Sequence, residues 1–298
     1  MQTAMHMYRS NRVESLLDSL AHVLSEPLSS PLAPECIVVQ SKGMATWLAM
    51  QLSGRFGVWA NPDFPHPRQF VQRVLRATIG EEGDRVQRYS RERLAFVICV
   101  LLDDCRHDPD FSPLNAYLAD GPLSKKLQLA RQIANLFDQY AVYRPEMIST
   151  WEEGENRAFG QDLGEDLWQP KLWRLVVAQL GCCSPARLML QARQALAAGT
   201  IPFPHLLPER VSLFGIDTLP MIYLGIIGEL AQILPVHLHL FSPAQGYFAD
   251  IHSQAEVHRA LARLPAGMVP EDLYLEVGHP LLASMGAMAR DFQEVLEN

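Results

Sequence analysis

"CIVVQSKGMATWLAMQL", residues 36–52, opens as an apolar run, turns through Ser41-Lys42-Gly43 and continues with helical spacing. Cys36 to Val39 carry no charged or amide side chain, as a strand covered on both faces requires. Met44, Trp47, Leu48 and Leu52 recur at helical intervals and predict the apolar stripe of a helix. A buried strand feeding a helix through a short turn is how open α/β sheets build ligand sites at the carboxyl ends of their strands. The fold therefore turns on whether more strands of this kind exist, and the function on what the turn holds.

Working outward, His6-Met7-Tyr8 predicts a short edge strand, and Ser10 or Asn11 caps a helix with apolar positions Val13, Leu16, Leu17, Leu20 and Leu24. Ser29 to Pro34 reads as a loop. Asn61 to Pro67 reads as extended, because three prolines in six residues exclude a helix. Strand patterns return at Val211–Gly215 and Val236–Phe241, with helical spacing from Met221 to Leu234 between them. That is the βαβ unit of a mostly parallel sheet. From Gln69 to Ala198 the pattern is helical. Leu94, Val97, Ile98, Leu101, Leu102 and Cys105 predict one face, and Leu127, Ala130, Ile133, Ala134, Phe137 and Ala141 another, with turns such as Ala119-Asp120-Gly121-Pro122 between helices. The expected architecture is α/β, its mostly parallel sheet built from residues 1–68 and 202–298, with a helical subdomain inserted at residues 69–201.

Composition narrows the function. The 298 residues are 48% apolar and 19% charged, enough to bury a sizeable core. No run approaches the roughly 18 apolar residues of a membrane span, and the N-terminal stretch lacks a secretory apolar core. Five cysteines, an odd number without repeated C-x-x-C spacing, point away from a disulfide or zinc framework and toward a reducing cytoplasm. A net charge of −8 disfavours autonomous gripping of duplex phosphates, which needs a basic surface. A local channel for nucleic acid within a larger assembly is compatible with it.

Three places invite a nucleotide. A P-loop at "MYRSNRVESL" would need glycines to wrap phosphates and a lysine to reach the terminal one, and this turn has neither. Ser41-Lys42-Gly43 supplies one of each in the wrong order. In "VSLFGIDTLP" Asp217 follows an apolar strand as a magnesium-holding aspartate would, but Thr218, not glutamate, comes next. His237 and His239 share a strand face as a metal pair could, yet no third ligand is evident, and a half-polar strand is the simpler reading. "HDPD" (107–110) and "WEEGENRAFGQDLGEDLW" (151–168) read as solvated loops, and no G-x-S-x-G elbow exists. What remains is recognition chemistry: Gln40 and Ser41 at a strand end, and Asp138, Gln139, Tyr140, Tyr143 and Arg144 within "NLFDQYAVYRPEM" (135–147). Asp, Gln and Arg can read base edges and tyrosines can stack on unpaired bases. Equally, these are what a helix C-terminus and an amphipathic core would carry.

"MYRSNRVESLLDSL", "VQSKGMATWLAMQLSGRFGVWANPDFPHP", "LFDQYAVYRPEMISTWE", "WQPKLWRLV", "FGIDTLPMIYLGIIGEL" and "HPLLASMGAMARDF" occur in the order and spacing of the RecC family, the gamma subunit of exodeoxyribonuclease V. The resemblance runs from about Met7 to the last residues. RecC chains are several times longer, so it implies an N-terminal fragment. It further implies a degenerate superfamily 1 helicase motor domain that binds no cofactor of its own, with ATP and magnesium used by RecB and RecD in a heterotrimer. The family's α/β shell forms part of a tunnel through which the unwound 3′-ended strand passes from a duplex end and is scanned for the Chi sequence. Carried over residue by residue, the scanning surface includes Gln40, Leu136, Asp138 and Arg144, with Gln139 in the same segment. This chain has Lys42 where better-known members have threonine, Thr46 for glutamine, His66 for leucine and Asn135 for aspartate, which opens the target sequence to change. Two other readings compete: an active nucleotide-dependent motor that loses turnover on mutation of Asp217, and a scaffold that docks RecB without touching DNA here.

Overall fold

In the computed structural model, residues 5–119, 121–164, 167–244, 251–262 and 276–297 are described. In chain order the strands are β1 (Met5–Ser10), β2 (Glu35–Val38), β3 (Pro62–Asp63), β4 (Arg157–Ala158), β5 (Gln161–Asp162), β6 (Val211–Phe214), β7 (Val236–Phe241), β8 (Ile251–His252) and β9 (Glu276–Val277). The first helices are α1 (Val13–Leu24), α2 (Lys42–Phe56), α3 (Pro67–Ile79), α4 (Glu81–Asp84), α5 (Arg91–Asp104), α6 (Ser112–Leu118) and α7 (Leu123–Tyr143). They are followed by α8 (Pro145–Glu152), α9 (Trp168–Leu180), α10 (Pro185–Ala197), α11 (Met221–Leu230), α12 (Gln254–Leu261), α13 (Pro280–Met285) and α14 (Ala287–Glu297). The protein is thus α/β with many helices.

Two units emerge: Met1–Pro67 with Pro208–Leu219 and Ala231–Asn298, and Arg68–Leu207 with Pro220–Leu230. The first holds a five-stranded sheet in the order β1-β7-β6-β2-β3, every pair parallel. The apolar runs lie where their composition directs: all four residues of β6 are buried, and Cys36 to Val39 are 3% exposed or less. Leu16, Leu17, Leu20 and Leu24 of α1 and Leu48 and Leu52 of α2 close over Ile37, Val39 and Phe214 to form one core. At the starts of β2 and β6, the Glu35 carboxylate accepts from the Nε and a terminal nitrogen of Arg210, whose side chain is only 9% exposed.

The second unit is helical. Phe111, Phe137, Trp151 and Trp173 form its centre, Phe137 meeting Trp173 edge-on at 5.2 Å. The polar edges of these rings are satisfied: Trp151 donates to the Arg157 carbonyl at 2.9 Å and Trp173 to Glu152 at 3.0 Å. Helix α11, read from sequence as part of the α/β region, groups here, with Glu229 facing Arg193 of α10 at 3.7 Å.

Local differences from the sequence reading have physical causes. The cap of α1 is Arg12, without a side-chain bond, because the Ser10 hydroxyl instead accepts from the Arg12 amide two residues on. Helix α11 stops at Leu230, and Pro235 precedes the next strand. The stretch 151–168, read as a loop, contains the β4–β5 hairpin, whose two-residue turn places Phe159 at φ +54° and Gly160 at φ +76°. Asp120 of the turn at 119–122 lies outside the described residues, as do 165 and 166. In "HDPD", Asp108 and Asp110 both pair with Lys171, at 2.7 and 2.6 Å.

Candidate nucleic-acid interface

The sheet order locates the first part of the site. The connection leaving β2 runs through α2 to β3 at one edge, whereas the connection leaving β6 runs to β7 on the other side. Neighbouring loops that diverge in this way open a crevice at the carboxyl ends of their strands. Gln40 stands at the end of β2, exposed, and its carboxamide donates to the Thr218 carbonyl of the β6 loop at 3.4 Å. Gly215 turns that loop at φ +60° while its amide donates to His239. Ser41 caps α2, its hydroxyl accepting from the Met44 amide at 3.1 Å. The Ser41-Lys42-Gly43 turn is therefore a helix start. Ser41→Ala should cost about 1 kcal/mol, read as a lower urea midpoint with an unchanged slope.

Lys42 opens α2 and is exposed; Thr46, one turn on, is exposed with its hydroxyl donating to the Lys42 carbonyl at 3.0 Å. His66 is exposed beside them in the backbone sense, since Val39 donates to the Pro65 carbonyl at 3.1 Å. Gln40, Lys42, Thr46 and His66 thus gather at one end of the sheet. Asp217 is exposed and borders a different recess, a cavity of about 20 Å³ walled by Arg9, Phe241 and, from α14, Phe292. That is room for about one water molecule.

The other candidates belong to the helical unit. Asn135 and Gln139 are exposed on α7, and Leu136 is half-buried. Arg144 follows the helix, exposed, with its guanidinium 4.7 Å from the centre of the Phe159 ring in a cation–π contact. Tyr143 is 63% exposed, while Tyr140 packs edge-on against Trp151 at 5.9 Å and belongs to the core. Asp138 departs from its expected place. Its side chain is 8% exposed, and it accepts from Arg68 at 3.1 Å and from the Nε of Arg91 at 2.7 Å. A carboxylate so engaged has little left to offer a base edge. Arg68 and Arg91 themselves were missed, since partners 70 and 47 residues away leave no local signal.

His237 and His239 are not arranged as a metal pair. His239 is fully buried, stacked on Tyr8 at 4.7 Å, with Nδ1 2.9 Å from the Ser19 hydroxyl. His237 stacks on His6 at 5.1 Å. Burial pushes both imidazoles toward the neutral form, His237 down to about 4 and His239 to about 3. Among the described residues no group of three metal-ligating side chains occurs.

In the first unit a parallel sheet presents amide and ammonium side chains at its switch point, and in the second a helix ends in exposed polar side chains. The chain belongs to the RecC N-terminal domain family, whose model matches residues 5–298. It is 34% identical over 320 residues to the RecBCD enzyme subunit RecC of Escherichia coli strain K12, covering 99% of this chain and 28% of that protein. The Haemophilus influenzae RecBCD enzyme subunit RecC is 30% identical over 341 residues, covering 97% of this chain and 30% of that protein. The Mycolicibacterium smegmatis subunit of that name is 28% identical over 306 residues, covering 98% of this chain and 25% of that protein. The chain therefore spans between a quarter and a third of the length of these relatives.

Proposed function

We propose that this chain is the strand-scanning and scaffolding part of a RecBCD-type helicase–nuclease, acting in double-strand break repair in the cytoplasm. In this reading a helicase-like α/β shell, emptied of its nucleotide site, guides the unwound 3′-ended strand away from a duplex end and tests it for a Chi-like sequence. RecB and RecD bind ATP and magnesium and perform unwinding and cleavage. The observation that carries the proposal is the crevice between β2 and β6. Where an NTPase needs a glycine loop and a lysine, a capped helix start presents Gln40, Lys42 and Thr46. The small cavity beside Asp217 is far below the roughly 300 Å³ and upward of ordinary ligand sites, which speaks against the competing motor reading.

Sparse polar contacts suit this role. Each good bidentate contact is worth about 1–3 kcal/mol of discrimination, enough to pause a strand that a partner pulls. In a reconstituted complex given a duplex end with a photoreactive base in its 3′ tail, the expected crosslinks fall within residues 36–50 and 131–147. Crosslinks elsewhere only, in a complex that still unwinds DNA, would leave this region as a scaffold and end the scanning proposal.

A further inference from the structure

We infer that Asp138 is a positioning residue, and that Arg68 and Arg91, which it holds, are the groups that seat a phosphodiester of a single strand, its base lying in the adjoining groove between α5 and α7. The inference rests on the strand-handling reading above and assigns that reading a different set of contacts.

A base reader must present its polar atoms to solvent, and Asp138 does the reverse. It sits 8% exposed on α7, clasped from α3 by Arg68 and from the start of α5 by Arg91. One buried carboxylate thus holds two guanidiniums, from two different helices, at one point of the surface. The two arginine side chains stay 38% and 56% exposed. Arg91 spends its Nε on Asp138, and its two terminal nitrogens have no partner among the described residues. A guanidinium held by one edge and open at the other is set up for planar, two-point recognition of a phosphate. Tyr223, buried beside the cluster, has its hydroxyl pushed up by burial first, with Arg68 opposing and Asp138 adding to the rise.

What lies next to the clamp favours a nucleotide over a bare anion. Arg91 is also part of the lining of a groove of about 520 Å³ between α5 and α7. Its apolar surface comes from Ala95, Leu127 and Phe96, the last 64% exposed. Gln128, Arg131, Gln132 and Asn135 stand at helical spacing along α7, all exposed, with no side-chain partner among the described residues. Glu92 is the one carboxylate in the lining. An exposed ring facing a row of amides is a surface on which an unpaired base stacks and is hydrogen-bonded at its edges.

The test uses the whole chain and a fluorescein-labelled, mixed-sequence single strand, titrated by polarisation at several salt concentrations. Arg68→Gln and Arg91→Gln should each weaken binding about five- to tenfold and flatten the salt dependence by about 0.7 in slope, one phosphate contact each. Arg93→Gln, an exposed neighbour outside the groove lining, removes the same charge and should leave the slope unchanged. Asp138→Asn decides the role of the carboxylate. Removing a negative charge beside a strand would tighten binding if Asp138 merely repelled phosphates, whereas loss of its grip on both arginines should weaken binding about fivefold. Equal or tighter binding by Asp138→Asn, or identical behaviour of Arg91→Gln and Arg93→Gln, overturns the inference while strand handling stands. Arg91→Gln leaves Asp138 paired to Arg68, so it keeps the test open if Asp138→Asn unfolds. An abasic strand of equal length should bind several-fold more weakly, and equal binding would overturn the nucleotide assignment of the groove. If the unaltered chain binds no single strand at all, strand handling by this chain falls and the clamp with it.

Discussion

Glu35→Ala should destabilise the α/β unit by about 3–5 kcal/mol, among the largest losses available outside the apolar core. Arg210 is 9% exposed and Glu35 17%, so removing the carboxylate strands a guanidinium that the fold keeps from water. The pair itself contributes less than this figure, because both charges lose hydration on burial. Glu35→Ala combined with Arg210→Met should therefore recover most of the loss. Hydrogen exchange of β2 and β6 amides reads the effect where it acts, since Cys36 pairs with Val211 one residue beyond the ion pair. Unchanged protection in Glu35→Ala would mean that water already reaches Arg210.

Acid should weaken the same unit steeply. His239 is walled in by Tyr8 and Phe214, with Nδ1 on Ser19 and Nε2 lacking a hydrogen-bond partner among the described residues. Burial, and then the charge of His237, pushes its pKa from 6.5 to about 3. His237 falls to about 4 through burial, followed by His6 and Arg210, with Glu26 opposing. The folded pKa values are depressed, so between pH 6.5 and about 4 the unfolded chain binds more protons than the folded one. Stability is complete above about pH 6.5 and declines as pH falls through that window. At about 1.4 kcal/mol per unit, His239 alone accounts for a loss of roughly 3–5 kcal/mol, and the half-buried His237 adds less. Urea midpoints between about pH 7 and pH 4 measure it. His239→Phe, which keeps a ring between Tyr8 and Phe214, should flatten the decline; a decline of the same size in that variant would place the acid sensitivity elsewhere.

The sheet was legible because β2 and most of β6 are apolar on both faces and β7 alternates apolar residues with histidines. Cys36-Ile37-Val38-Val39, Val211 to Phe214 and Val236 to Phe241 can be satisfied in few places other than a covered parallel sheet, and all are found there. The stripes of α5 and α7 were nearly as plain, since periodic apolar positions have one packed solution, although Leu127 of the expected α7 face lines the groove instead of the core. The placement of the candidate residues was half legible. Gln40, Lys42, Thr46 and His66 gather at one end of the sheet because chain neighbours and strand order place them there.

By itself, then, the sequence determined the α/β class, the apolar faces and the want of phosphate-loop residues at Ser41-Lys42-Gly43, although the turn read there is already the start of α2. All of these follow from local periodicity and backbone chemistry. Only the tertiary structure decided that His239 is fully buried against Tyr8 and Phe214, and that Asp138 faces two arginines rather than solvent. Burial of a polar group depends on what distant residues bring to it: Asp138 is 70 residues from Arg68 and 47 from Arg91, so its meaning as a charge appeared only when three helices met.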